Sequence, residues 1–342
     1  MLQSPSGLSA LPSGHFKHEG DGMGSRPGWV IVLGSMNMDL VSQVTRLPEE
    51  GQTIFGSHFR TVPGGKGANQ AVAAARLGTP VRMIGACGVD AFGDQLLQGL
   101  AREGIDISGV ARVPDRHTGV ATILVDEKGG NVIVVVSGAN AAVLPTSLPA
   151  GWLDGAFALL MQLEIPMETV LEAARQARQA GVLTILDPAP AAPLPDQLMA
   201  SLDIITPNES ETRTITGIAP TDASSMERAA LSLLERGART VVLKLGARGA
   251  YVATQSGTRR HIPAPRVKAV DTTAAGDAFN AGLVTALREG RQLEEAVSFA
   301  HRVAALSVTR FGAQPSMPSR AEVDAFLAPC ATCSNESRTP HV

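Results

Sequence analysis

The sharpest chemical signal in the chain is Pro63-Gly64-Gly65-Lys66-Gly67-Ala68-Asn69-Gln70. Three glycines just before a helical run let a ligand come against bare backbone. Lys66 and Asn69 then offer donors to a polyol or an anion. The stretch is not a P-loop, because Lys66 is followed by Gly67 where that motif needs Ser or Thr, and Arg60 stands where it needs Gly. Nor is it a dinucleotide fingerprint, which would have to end at Gln70. A plain strand-to-helix turn rarely needs three glycines, a lysine and an asparagine together, so the combination reads as functional.

A second stretch, Asp271-Thr272-Thr273-Ala274-Ala275-Gly276-Asp277, also precedes a helical run. Its small residues leave the N–H groups of the helix start open, and a helix N-terminus binds anions such as phosphate. The dipole there favours an ionised Asp277, a carboxylate of low proton affinity able to accept a hydroxyl proton. An ordinary N-terminal helix acid fits the stretch equally well. In Thr206-Pro207-Asn208-Glu209-Ser210-Glu211, Asn208 and Glu211 share one helical face; they suit a hydrated Mg²⁺ near phosphates or, more simply, a capping turn. Lys244-Leu245-Gly246-Ala247-Arg248-Gly249 is a glycine-flanked loop at a strand end, where α/β folds bind ligands. In Gly34-Ser35-Met36-Asn37-Met38-Asp39, an extended backbone points Asn37 and Asp39 the same way, as a sugar's hydroxyls would require.

The elements that must position these groups follow a β-α rhythm. Strand runs over 29–33, 156–162, 182–186, 204–205 and 240–245 alternate with helical patterns over 68–77, 168–180 and 224–235. Gly78 ends the first helix. The rhythm predicts a mainly parallel sheet covered by helices on both faces, an α/β three-layer domain. Phe279, Leu283, Ala286 and Leu287 mark one further helix face, and 296–308 another apolar helix. Residues 38–62 and 117–136 alternate apolar and polar residues, which predicts antiparallel strands with one wet face in a small projecting sheet.

Composition sets the outer limits. The 342 residues carry 29 basic and 32 acidic side chains, a net −3 that leaves no electrostatic footprint for nucleic acid. No apolar run approaches membrane-spanning length. Three cysteines, Cys87, Cys330 and Cys333, argue against a disulfide framework and for a reducing, cytoplasmic setting; Cys330 and Cys333 read as two solvated thiols in a polar tail. Residues 1–28 and 329–342 are polar and read as disordered extensions around a domain over 29–328, with Met23 an alternative start. The 35 glycines and 22 prolines signal tight turns and close backbone approaches.

Taken in order, these stretches resemble the ribokinase family of sugar kinases, the PfkB carbohydrate kinases. GSMNMD, GGKGANQAVAAARLG, GANAAV, LLMQLE, DPAPA, DIITPNESE, VDTTAAGDAFN and TRFGAQPS carry the likeness across roughly residues 29–327. The resemblance implies transfer of the ATP γ-phosphoryl group to a sugar hydroxymethyl, with D-ribose giving ribose 5-phosphate. Deoxyribose or another sugar of the same family is the alternative. It implies Asp277 as catalytic base, with Ala274, Ala275 and Gly276 supplying N–H groups to the transferred phosphoryl. Asn37, Asp39, Gly65, Lys66, Asn69 and Glu164 match sugar positions. Asn208, Lys244, Leu245, Gly246, Ala247, Arg248, Gly249, Gly276 and His301 match nucleotide positions. Asn208 and Glu211 match a motif that organises Mg²⁺ through water. A monovalent cation, K⁺ by family expectation, would be held largely by carbonyls at Asp271, Thr273, Ser307, Arg310, Gly312 and Ser316. The two alternating stretches match a lid that covers the sugar and forms a homodimer interface. A non-catalytic sugar-binding protein would have a broken Asp277 or phosphate loop, and both are intact. A dinucleotide-dependent dehydrogenase would need G-x-G-x-x-G after the first strand, where this chain has GSMNMD.

Overall fold

The computed structural model describes residues 28–326. Both predicted tails, apart from Gly28, and Cys330 and Cys333 lie outside the described residues. Thirteen strands are described: β1 (Trp29–Leu33), β2 (Asn37–Val44), β3 (Gly56–Gly64), β4 (Val81–Gly88), β5 (Asp106–Val113), β6 (Gly119–Val125), β7 (Asn131–Val136), β8 (Ala156–Met161), β9 (Leu183–Leu186), β10 (Ile204–Ile205), β11 (Thr240–Lys244), β12 (Ala250–Thr254) and β13 (Arg259–Ile262). The α-helices are α1 (Lys66–Arg76), α2 (Ala91–Arg102), α3 (Met167–Gln179), α4 (Asp196–Met199), α5 (Glu209–Thr216), α6 (Ala223–Glu235), α7 (Ala275–Arg288), α8 (Leu293–Ser307) and α9 (Arg320–Ala325).

Nine strands form one sheet in the order β13-β12-β11-β10-β9-β8-β1-β4-β5. All its pairings are parallel except those of β12, which pairs antiparallel with β11 and β13. Strand β1 shows why the sheet is covered twice. Val30 and Val32 enter one apolar core with α1, α7 and α8, while Ile31 and Leu33 enter a second with α3 and α6. All four are fully buried, as a parallel strand between two helical layers must be. The strand order reverses beside β1, and the C-terminal end of the strands at such a reversal is the usual ligand position in these sheets.

The small sheet has the order β3-β2-β6-β7. It departs from the sequence reading in two ways. Its central pair, β2 with β6, is parallel, because β2 leaves the top of β1 in the direction β6 also takes. The outer pairs are antiparallel as predicted. Strand β7 is also exposed along its whole length, so both of its faces are wet and not one.

Candidate active site

All five candidate stretches converge above the C-terminal ends of β1, β10 and β11. Strand β1 ends at Leu33, and the next residues fold directly against the start of α1: the Ala68 N–H donates to Ser35 O at 2.9 Å. Two glycines make this approach possible. A Cβ on Gly67 would stand 2.7 Å from the Gly34 carbonyl carbon. Gly65 has φ +87°, and its Cβ would meet Asn37 N at 2.6 Å. Only glycine serves at Gly65 on both counts.

On the sugar side, the Glu164 carboxylate gathers the crevice. Its Oε2 accepts from Ser35 Oγ at 2.5 Å and from the Lys66 N–H at 3.1 Å. The Asp39 carboxylate lies against Gly64 across the β2–β3 pair. Asn37 does not point freely into the crevice as the alternation suggested. Its Oδ1 accepts from Asn140 Nδ2 at 2.7 Å, and Asn140 also bonds both backbone groups of Met36. Burial, with Glu164 and Asp277 nearby, pushes the Asp39 carboxyl up to about 7 against the pull of Lys66. Lys66 itself is held above its ordinary value: burial opposes its charge, but Asp277, Glu164, Asp187 and Glu211 surround it.

Asp277 is 5% exposed and lies in the first turn of α7. Two consecutive residues of α1 grip it: Asn69 Nδ2 donates to Oδ2 at 3.0 Å and Gln70 Nε2 to Oδ1 at 2.9 Å. The expectation of a low proton affinity is wrong. Burial dominates the helix-start position and raises the Asp277 carboxyl to about 6, with Asp187 adding repulsion and Lys66, Gln70 and Asn69 opposing it. The carboxylate is still mainly ionised at pH 7, as a base must be, but it binds a proton far more readily than a solvated aspartate.

The turn before α7 is strained. Ala274 has φ +60°, the one non-glycine residue with positive φ among the described residues. That conformation costs on the order of 1 kcal/mol for an L-residue and is kept where a turn has work to do. Ala275 differs from the expected set of open donors, because its N–H bonds Thr272 O at 3.2 Å. The N–H groups of Ala274 and Gly276 have no hydrogen-bond acceptor among the described residues. The Lys244 ammonium faces the same point: a Cβ on Gly276 would stand 3.3 Å from Nζ. The turn therefore combines open donors with a fixed cation, which is what an anionic phosphoryl group needs.

Lys244 and Asn208 are drawn together by a parallel bridge between β11 and the segment before α5. Asn208 and Glu211 take the capping reading. Asn208 Oδ1 accepts from the Glu211 N–H at 2.9 Å and Glu211 Oε2 from the Asn208 N–H at 2.7 Å. The capping box still leaves the Glu211 oxygens spare lone pairs. No group of three or more acidic, histidine or cysteine side chains among the described residues is placed to hold a metal ion directly, so a divalent ion would be bound mainly by water and phosphate oxygens. Leu245 is buried under the turn that follows, Gly246, Ala247 and Arg248 are exposed on it, and Gly249 packs its backbone against Ile262 O. The Arg248 side chain turns away to Glu209 and to the Thr221 and Pro220 carbonyls. His301 sits apart on α8, edge-on to Phe279 at 5.1 Å between ring centroids. Burial and His261 push it down to about 4, and its Nε2 is buried with no partner.

Of the candidate cation positions, Asp271, Thr273 and Gly312 are joined by hydrogen bonds. Asp271 Oδ2 accepts from the Gly312 N–H at 2.8 Å, Asp271 Oδ1 from Thr273 N–H at 2.9 Å, and the Asp271 N–H bonds Val308 O. Ser307 and Ser316 are buried, their hydroxyls donating to the Ala304 and Ala313 carbonyls, and the Arg310 guanidinium points away to Glu322. Burial works against the Asp271 charge, yet these amide donors hold its carboxyl below the ordinary range.

Comparison with known proteins settles the family. Residues 29–320 match the pfkB family carbohydrate kinase profile. The chain belongs to the pfkB family of carbohydrate kinases. This kinase is 43% identical over 300 residues to the ribokinase of Haemophilus influenzae, an alignment covering 87% of the chain and 98% of that protein. It is 40% identical to the ribokinase of Schizosaccharomyces pombe, over 86% of the chain and 96% of that protein. Among solved structures, Arabidopsis thaliana ribokinase complexed with ribose and ATP superposes with a TM-score of 0.83 at 35% identity, covering 89% of this chain and 99% of the other. Thermotoga maritima ribokinase gives 0.81 at 40% identity, covering 88% and 99%.

Four residues of the candidate site carry no signal of their own in the sequence beyond the motifs that contain them. Asp187 and Gln70 stood inside quoted motifs, DPAPA and GGKGANQ; Asn140 stood in GANAAV; and Ser35 in GSMNMD. Asp187 had the best signal, an acid directly after the parallel strand β9.

Proposed function

We propose that this kinase transfers the ATP γ-phosphoryl group to O5 of D-ribose, giving ribose 5-phosphate and ADP. One observation carries the reading: a buried carboxylate, Asp277, gripped by α1 amides and close to the charged side chains of Lys66 and Asp39, with the open N–H groups of Ala274 and Gly276 and the Lys244 ammonium beside it. Asp39, Lys66, Glu164 and Asn69 line the sugar side. The Asn69 Oδ1 is buried and unpartnered, an acceptor suited to a sugar hydroxyl. The His301 Nε2 is equally unpartnered and suits the edge of an adenine.

In the transfer, O5 bonds to the γ-phosphorus as the bond to the bridging oxygen breaks, and the electron pair leaves with ADP. The O5 proton passes to an Asp277 oxygen. The loose transition state places charge on the phosphoryl oxygens, so donors held ready at the α7 turn matter more than a strong base. When bound, Mg²⁺ held through water by Asn208 and Glu211 would neutralise phosphate charge. K⁺ held by carbonyls around Asp271 and Gly312 would brace the α7 turn from behind. The lid sheet excludes water and pairs with a second copy, and the protein works in the cytoplasm. No described helix is long and apolar enough to cross a membrane.

A coupled assay with ribose, deoxyribose, fructose and adenosine tests the reading. Ribose should give the highest kcat/KM, with the product phosphorylated at O5 by phosphorus NMR. A higher value for deoxyribose, fructose or adenosine overturns it.

A further inference from the structure

Gln70 is fully buried and stands between two carboxylates. Its Nε2 donates to Asp277 Oδ1 at 2.9 Å and to Asp187 Oδ2 at 3.0 Å. Its Oε1 accepts from Gln162 Nε2 at 2.7 Å, which fixes the amide with its nitrogen toward the two acids. Asp187 in turn receives Lys244 Nζ on its other oxygen at 2.7 Å. A continuous line therefore runs from Lys244 on β11, through Asp187 after β9 and Gln70 on α1, to Asp277 on α7.

Resting on the sugar-kinase reading above, we propose that Gln70 is a positioning residue: it aims Asp277 at the attacking hydroxyl and ties that base to the Lys244–Asp187 pair beside the phosphoryl-binding turn. The physical reason is that two carboxylates cannot face each other at this distance without a donor between them. An amide is the neutral group with two N–H bonds to give, and Gln70 gives one to each acid. With Asn69 on the other oxygen, Gln70 fixes the plane of the Asp277 carboxylate while one lone pair per oxygen stays open to the crevice.

The charged groups around Asp277 are Lys66 from α1, Asp187 from the segment after β9 and Asp39 from β2, with Lys244 acting through Asp187. From α8, His301 faces Phe279. Replacing Gln70 with an apolar side chain removes a donor that favours the ionised form and exposes Asp277 to Asp187. The proton affinity of Asp277 must then rise.

The test is a ¹³C NMR titration of the Asp277 carboxyl, assigned by its loss in Asp277→Asn, in the full chain. In Gln70→Leu the midpoint should rise by about one pH unit. The acid limb of kcat/KM should move with it, kcat at pH 7 should fall roughly tenfold, and the ribose KM should stay within about twofold. Gln162→Leu keeps Gln70 but frees its amide to turn, and should move the midpoint the same way by less. If Gln70→Leu does not fold, Gln162→Leu decides by the same reading. An unmoved midpoint overturns the proposal. The titration needs no substrate, so a wild-type protein inactive on ribose would overturn the proposed function and leave this inference to be judged by the midpoint alone.

Discussion

Lys244 Nζ meets Asp187 Oδ1 at 2.7 Å, with the two side chains 12% and 3% exposed. The same ammonium faces Gly276 in the turn that starts α7. A buried pair of this kind does little for stability by itself, because the desolvation of both charges offsets their attraction. Its effect is to hold a lysine, otherwise a flexible point charge, at one spot beside the open N–H donors of the α7 turn. Removing one partner is costly, since it strands the other charge. Lys244→Met should therefore destabilise the protein by about 3 kcal/mol, read as a lower Tm by calorimetry. It should also raise the KM for ATP about tenfold or more, consistent with one lost charge-assisted contact. Adding Asp187→Asn should restore much of the Tm and none of the ATP affinity. Recovery of both together would mean that Lys244 serves the fold alone.

Asp277→Asn keeps the shape of the base and removes its proton affinity. It should lower kcat by about two orders of magnitude with little change in the ribose KM. The wild-type acid limb carries a second signature. Because burial raises the Asp277 carboxyl to about 6 in the free protein, kcat/KM should fall as pH drops through that value, well above the range of a solvated aspartate. Steady-state rates between pH 5 and 8 check both statements. Near-normal turnover of the Asn variant would remove Asp277 from the mechanism.

The strands and helices that carry the site were legible in sequence because their signals are local. The buried run Trp29–Leu33 needs two apolar faces and shows them. The helix predicted over 68–77 starts two residues earlier, at Lys66, because Gly65 with its positive φ turns the chain directly into helix. The NESE stretch was legible as a cap, and the capping box is what formed. What local signals could not carry was the environment of Asp277. Its position at a helix start argues for a strong acid, while burial among residues distant in sequence wins, even against the Gln70 amide of α1, which donates to it from 207 residues away in the chain. The pairing of Asn37 with Asn140 is hidden in the same way, 103 residues apart. The direction of β6 against β2 depends on the whole path between them, which alternation alone does not encode.

Asp39 should make sugar binding depend on pH. Burial, Glu164 and Asp277 raise its carboxyl to about 7, so it is an ionised acceptor only above that value. Ribose affinity measured by calorimetry should weaken as pH falls from 8 to 6, by up to about tenfold per unit at the steepest. Asp39→Asn should bind ribose more weakly than the wild type at pH 8 and show a flat profile, with ATP affinity little changed. The stability sign is opposite. The folded protein holds the Asp39 proton more tightly than the unfolded chain does, so this group destabilises the fold as pH rises from about 4 through 7. The Asn variant should accordingly gain Tm at pH 8 relative to pH 5. A wild-type ribose affinity independent of pH would exclude Asp39 as an ionised sugar acceptor.

Strand β7 ends the lid sheet with five apolar residues in a row, Val132 through Val136, all between 46% and 57% exposed. Its outer edge has no strand partner among the described residues, and no charge or proline guards it. Exposed, flat and apolar edges are usually blunted in single-chain proteins or covered by another strand. A second copy of the lid supplies that cover in the dimer proposed above. Val134→Lys puts a charge in the middle of the edge while leaving β6 and its partners intact. Sedimentation should then shift from twice the 35.5 kDa chain mass toward a single chain, with Tm at high protein concentration also falling as the dimer is lost. A Lys variant that sediments as the wild type does would show that β7 is not the contact.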